Sequence, residues 1–295
     1  MFIITGPTGN IGAEVSRYLV EKNPAGVEFR LAAHSVDRVR EEFGSEVPVA
    51  HLEYDDPSTW APALEGGTTL FLLFPLPHPK TAKSRMVPFI DAAVAAGIRH
   101  IIYITVPGGD ASRVIPHNTV ERHIKESGVQ WTLLRPSYFM QNLVRSLSTH
   151  GVDIAQSDEI FIPAGKSTTT FVDSRDLAEV IVGIAADTDP HDRQTYVLTG
   201  EHKKTYFDVA EALSEALGRP ITYTHPSFLA FWRRMRKRGL TRDTVFFMCI
   251  VYTLARRGRN NPVSEDLPNM LGRDPTTLRQ FALDYKWRWE TQTWT

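Results

Sequence analysis

The chain has 295 residues, a formal charge of -1 and one cysteine, Cys249. That length is ample for a buried core in one large α/β domain or a domain and a half, and the near-neutral balance gives no electrostatic hold on nucleic acid or an acidic membrane. A lone cysteine in an apolar run makes no internal disulfide and reads as a buried, inert thiol.

Residues 1–5 are too short and lack the basic start of a secretory leader, and the longest apolar run, Val245 to Ala255, falls short of the roughly 20 residues that a spanning helix needs. A cytoplasmic protein with no membrane partner is expected. Met1 to Thr5 is apolar and strand-like, and leads into Gly6-Pro7-Thr8-Gly9-Asn10-Ile11-Gly12, after which Ala13 to Glu21 has helical spacing. Strand, glycine turn and helix open a dinucleotide-binding unit, because glycines permit the tight turn and the close approach of backbone to a pyrophosphate. Gly6, Thr8, Gly9, Asn10, Ile11 and Gly12 are therefore candidate cofactor contacts, with the positive front of the helix facing the phosphates. The spacing G-x-x-G-x-x-G differs from the simpler G-x-G-x-x-G, and its position between strand and helix is the supporting context.

Strand-like and helix-like segments then alternate, the pattern of a parallel sheet covered by helices. Val27 to Ala33 reads as the second strand, with His34, Ser35 and Arg38 at its carboxyl end, where an adenosine ribose would lie. No carboxylate occurs from Leu31 to Val36, so these residues favour a 2′-phosphate and NADP(H), with NAD(H) the alternative. Solvated loop residues are the plain reading of His34 and Arg38. Val47 to Leu52 reads as the third strand. Thr68 to Phe74 is the fourth, fit for burial on both faces, and Phe74, Pro75 and Leu76 would border the nicotinamide half of a cofactor. Ser84 to Ala96 reads as a helix stopped at Gly97, and Ile101 to Val106 as a fifth strand that brings Thr105 and Val106 to the same edge.

A conventional short-chain dehydrogenase would carry Tyr-x-x-x-Lys on the following helix, the lysine lowering the phenol's pKa so that it can give a proton. Here His117 stands four residues before Glu121, which places both on one helix face without repeating that chemistry. A surface pair is the plain reading of the two. Gln130 to Leu134 reads as the sixth strand, and the loop after it offers Tyr138, Phe139 and Met140 as walls of a site, with Tyr138 the one that carries a proton.

Taken in order, Ile3 to Gly12, His117-x-x-x-Glu121, Leu134-Arg135-Pro136-Ser137-Tyr138-Phe139-Met140-Gln141-Asn142 and Phe171-Val172-Asp173-Ser174-Arg175-Asp176-Leu177-Ala178 resemble the NmrA-like group of atypical short-chain dehydrogenases. The resemblance spans residues 1 to about 225 and is nearest to the triphenylmethane reductase, quinone reductase and agroclavine-dehydrogenase-like branches. It implies a Rossmann-type doubly wound parallel sheet that binds NADP(H) or NAD(H), with a smaller, mostly helical C-terminal domain closing over the nicotinamide. In the reductase branches hydride passes to a conjugated quinone, dye or iminium carbon. Such acceptors need little acid catalysis, because charge is delocalised or neutralised as hydride arrives. The group also contains dinucleotide-sensing regulators without turnover, and a cofactor-binding isomerase or cyclase is a further alternative.

The expected division is a dinucleotide-binding domain over 1–150, to which 167–186 and about 195–200 return, and a substrate or lid domain over 151–166 and 201–295. Thr195 to Thr199 and Ile221 to Thr224 read as strands, and Phe207 to Leu217 as a helix ending at Gly218. Two further helical stretches, Phe228 to Arg238 and Thr244 to Arg257, offer Trp232, Phe246 and Phe247 for stacking on a small aromatic or conjugated substrate. Core packing is the plain reading of each. The basic run Arg233 to Arg238 reads as a solvated face, and Trp287 and Trp289 as anchors of the tail. Tyr138, His117 and its helix-face partner Glu121 are the candidate catalytic residues; no metal-ligand cluster and no G-x-S-x-G elbow is present. A monomer or homodimer is expected.

Overall fold

The computed structural model describes residues 1–75, 78–144, 149–256 and 263–290. By contacts, the chain divides into two compact units. One comprises Met1–Pro136, Ser174–Leu198 and Asn269–Gly272, and the other Ser137–Asp173, Thr199–Pro268 and Arg273–Thr295.

The first unit is built on a sheet of seven parallel strands. β1 (Phe2–Thr5), β2 (Phe29–Ala33), β3 (Val49–His51), β4 (Thr69–Leu72), β5 (His100–Ile104) and β6 (Gln130–Pro136) are completed by the strand Gln194–Leu198. The order across the sheet is Gln194–Leu198, β6, β5, β4, β1, β2, β3. Every residue of β1, β4 and β5 is buried, which explains their unbroken apolar or neutral runs. The helix Gly12–Glu21 turns Ala13, Val15, Ser16 and Leu19 inward at helical spacing and packs against Ser174–Ala186 on the same face. On the other face Trp60, Leu64, Met86, Phe89, Ile90, Val120 and Ile124 join the core of β1, β4 and β5. This is the Rossmann-type doubly wound architecture, and its strand order reverses between β1 and β4. Ligands of such sheets bind beyond the carboxyl ends of the strands at that reversal. Thr5 knits the two strands together there: its hydroxyl donates to the Phe71 carbonyl at 2.9 Å and accepts from the Leu73 amide at 3.0 Å.

The second unit is mostly helical, with three short strand pairs. Tyr138–Phe139 runs beside Phe171–Val172, Thr168–Thr169 beside Lys204–Thr205, and Glu159–Ile160 beside Thr222–Tyr223. Its core collects Val209, Leu213, Phe231, Met235, Val245, Tyr252 and Phe281. The helix Tyr206–Leu217 begins with a reciprocal cap between Thr205 and Asp208 and stops at Gly218, whose φ of 68° is left-handed. The change of unit after Pro136 comes earlier than the expected boundary near 150, because Met140, Leu143 and Val144 enter this second core.

Two expectations for this unit are corrected. Of the basic run, Arg234 and Arg238 are not simply solvated. Arg234 reaches Asp153 at 3.2 Å and Glu159 at 2.5 Å, and Arg238 reaches Asp153 at 3.0 Å, the Asp153 side chain being fully buried. Of the two tail tryptophans only Trp289 is an anchor, donating from Nε1 to the Leu143 carbonyl at 2.9 Å, whereas Trp287 is 53% exposed. No helix among the described residues is long and apolar enough to cross a membrane.

Candidate active site

The glycine turn lies at the carboxyl end of β1. Gly6 takes φ 62°, and the Gly9 amide closes the turn on the Gly6 carbonyl at 2.9 Å. A Cβ on Gly12 would lie 2.1 Å from the Gly6 carbonyl oxygen, and one on Gly9 would lie 3.1 Å from it. Only glycine at position 12 lets the helix start this close to the strand. Ile11, which precedes that helix, makes no side-chain cap hydrogen bond to its first amides. Such close packing of the turn on the helix is the geometry of a dinucleotide-binding unit.

Beyond β2, Ser35 caps the helix Val36–Phe43 by accepting from the Arg38 amide at 3.3 Å, and Arg38 itself is exposed. His34 is 79% exposed, with Nδ1 3.0 Å from Glu53 Oε1; His51 Nε2 approaches the same oxygen at 3.3 Å. A carboxylate thus stands beside His34, brought in by the pairing of Ala33 with His51 across β2 and β3.

At the ends of β4 and β5 two buried clusters form around the helix Pro116–Glu126, whose inward residues are His117, Val120, Glu121 and Ile124. His117 and Glu121 are therefore not a surface pair. His117 Nδ1 lies 2.7 Å from the hydroxyl of Tyr103 in β5, and its ring meets Phe74 edge-on with centroids 5.4 Å apart. Burial pulls the His117 pKa down from 6.5 to about 4, so the ring is neutral near pH 7. Burial, with the Glu121 charge and Tyr54 nearby, pushes the Tyr103 phenol well above its usual 10. Glu121 accepts from the Thr105 hydroxyl at 2.6 Å and from Arg135 Nη2 at 2.7 Å, while Arg135 Nη1 reaches Asp110 at 3.1 Å. The Gly109 amide turns back to the Val106 carbonyl at 2.9 Å, and a Cβ on Gly109 would lie 2.3 Å from Glu121 Oε1. Thr105, Val106, Glu121 and Arg135 thus fix the loop after β5, and His117 stands beside Phe74, the residue before Pro75. Leu76 lies outside the described residues.

In the second unit Tyr138 is half-buried, and its hydroxyl lies 3.0 Å from His150 Nε2, which the Tyr252 hydroxyl also approaches at 2.8 Å. Burial raises the Tyr138 pKa, against hydrogen bonds from Tyr252, Tyr206 and Asn142; burial and the Arg238 charge lower that of His150 to about 3. The Tyr138 hydroxyl is thus engaged inside the unit. Phe139 is half-buried, Trp232 packs on the core, and Phe246 is 60% exposed. Met140 is buried and lines a cavity of about 290 Å³ together with Phe171, Lys204, Asp208 and Arg279. The side chain of Phe247 lies outside the described residues.

Tyr103, Arg135 and His150 were not anticipated as site residues. Tyr103 had a signal: a phenol in a strand buried on both faces must find a partner. Among the described residues no group of three metal-ligating side chains gathers.

Residues 1–236 match the NmrA-like family, and the chain belongs to that family. It is 31% identical to an NAD(P)H azoreductase of Xenophilus azovorans, the match covering 96% of each chain. It is 25% identical to quinone oxidoreductase 2 of Escherichia coli, over 95% of this chain and 96% of the relative. The triphenylmethane reductase of Citrobacter sp., solved in complex with NADP(H), shares the fold with a TM-score of 0.83 at 23% identity, over 97% of this chain and all of that one.

Proposed function

We propose that the protein is an NAD(P)H-dependent reductase that delivers hydride to a small conjugated organic acceptor of the quinone, azo, dye or iminium class. The observation that carries this reading is the turn in which a Cβ on Gly12 would lie 2.1 Å from the Gly6 oxygen, in a chain 31% identical to an NAD(P)H azoreductase. The backbone from Gly6 to Gly12 would hold the diphosphate, and His34, Ser35 and Arg38 the adenosine end. Phe74, Pro75, Thr105 and Val106 line the strand ends toward the nicotinamide. Bound NAD(P)H supplies the hydride; the chain binds, orients and stabilises charge. His34 and Arg38 favour a 2′-phosphate, while Glu53 can accept from a 2′-hydroxyl, so NADPH is preferred and NADH is accepted.

Because the Tyr138 hydroxyl is committed to the His150 side of its own unit, His117 is the better candidate for the group that meets the substrate. The sensor and isomerase alternatives are not favoured by relatives described as an azoreductase and a quinone oxidoreductase. The test is loss of reduced-nicotinamide absorbance with a quinone, an azo dye and a cationic triarylmethane dye. Oxidation of NADPH that depends on at least one acceptor is expected. Tight NADPH binding with no oxidation across all three would overturn the reductase reading.

A further inference from the structure

We propose that His117 is a catalytic residue acting as a neutral hydrogen-bond donor through Nε2, and that Tyr103 is the positioning residue that keeps its proton there. The inference deepens the reductase reading and rests on it. It starts from the isolation of the Tyr103 hydroxyl. Tyr103 is fully buried, and among the described residues its hydroxyl meets only His117 Nδ1, at 2.7 Å. If Nδ1 carried the proton, it would donate to the phenol oxygen, and the O–H would be left buried without an acceptor. If the hydroxyl donates, only oxygen lone pairs go unused. The phenol therefore donates its hydrogen bond to Nδ1, and a neutral imidazole with Nδ1 occupied as acceptor carries its own hydrogen on Nε2.

The ring is held neutral by the same burial that isolates the phenol. No acceptor for Nε2–H stands among the described residues, this nitrogen is not one of the sealed unpartnered polar atoms, and His117 is 7% exposed, so this proton is left for a ligand. A neutral imidazole is too weak an acid to surrender that proton outright. It instead stabilises charge as it develops, in the manner of a preorganised oxyanion donor. When hydride from NAD(P)H enters the conjugated system of a quinone, the displaced C=C electron pair is delocalised onto a carbonyl oxygen as an enolate, which protonation and tautomerisation carry to the hydroquinone. Nε2–H bonds to that oxyanion, and water supplies the proton that completes the hydroquinone. When hydride adds to a cationic triarylmethane dye, the positive carbon is neutralised and no oxyanion forms. The proposed donor therefore matters for the first acceptor and much less for the second.

This asymmetry gives the test, with NADPH as the hydride source. His117→Phe should slow quinone turnover by roughly 100-fold in kcat, the scale of losing one oxyanion donor, and at least tenfold more than it slows the cationic dye. Tyr103→Phe should lower the quinone-to-dye rate ratio by about tenfold, because the tautomer is no longer enforced. Taking the ratio within one preparation removes any shared loss from partial unfolding. Nitrogen-15 NMR of the His117 ring in the wild-type protein should show Nε2 protonated and Nδ1 bare, and a mixture in Tyr103→Phe. A protonated Nδ1 in the wild type, or equal slowing of both acceptors in His117→Phe, overturns the proposal. Absence of wild-type turnover with every acceptor overturns the reductase reading and the catalytic role with it, while the nitrogen spectrum separately decides whether Tyr103 sets the tautomer.

Discussion

Arg135 and Glu121 meet at 2.7 Å with only 10% and 3% of their side chains exposed, a nearly sealed ion pair at the carboxyl edge of the sheet. Removing one partner of such a pair leaves the other charge buried without compensation. Glu121→Gln should therefore cost about 3 kcal/mol or more, read as a lower urea midpoint with an unchanged slope. An unmoved midpoint would mean that Asp110 alone neutralises the guanidinium.

Gly12→Ala puts a carbon 2.1 Å from a backbone oxygen that cannot swing away. The turn must open, and NADPH affinity measured by fluorescence titration should fall at least 100-fold while the far-ultraviolet circular dichroism stays near wild type. Retained affinity would show that the phosphates are held elsewhere.

Glu53 places a carboxylate 3.0 Å from His34, where a 2′-phosphate would be repelled and a 2′-hydroxyl welcomed. Glu53→Gln removes that charge and should raise the preference for NADPH over NADH by roughly tenfold, the effect of one nearby charge in a solvated setting. Competition of the two coenzymes in steady-state kinetics checks it.

His117 ties stability to pH. Its pKa falls from 6.5 to about 4 on folding, so between those values the unfolded chain binds a proton that the folded chain does not. Stability from this residue is complete above pH 6.5, declines as pH drops, and is lost by about pH 4, a total of roughly 3 kcal/mol. Urea unfolding at pH 7 and pH 4.5 should show a smaller difference in His117→Leu than in the wild type.

The sheet and the glycine turn were readable from the chain because backbone geometry demands particular residue types at particular spacings. The same holds in part for the clusters. His117, Val120, Glu121 and Ile124 fall at i, i+3, i+4 and i+7, which marks one inward face, yet the charged pair taken alone reads as solvent-exposed. Glu53 could not be foreseen beside His34, since strands distant in sequence become neighbours only through register, here Ala33 against His51. For Tyr138 the sequence placed the residue at a strand end, but the direction of its hydroxyl depends on His150 and Tyr252, one close by in the chain and one more than a hundred residues away.

The strand Gln194–Leu198 pairs with β6 only after the chain has left the first unit and returned. Until residue 198 has emerged from a ribosome, β6 waits with one side of its peptide ladder unfilled, inviting a second nascent copy to zip onto it. A fragment ending at Pro136 should consequently self-associate, whereas a chain that runs on through Leu198 carries its own cover for that edge.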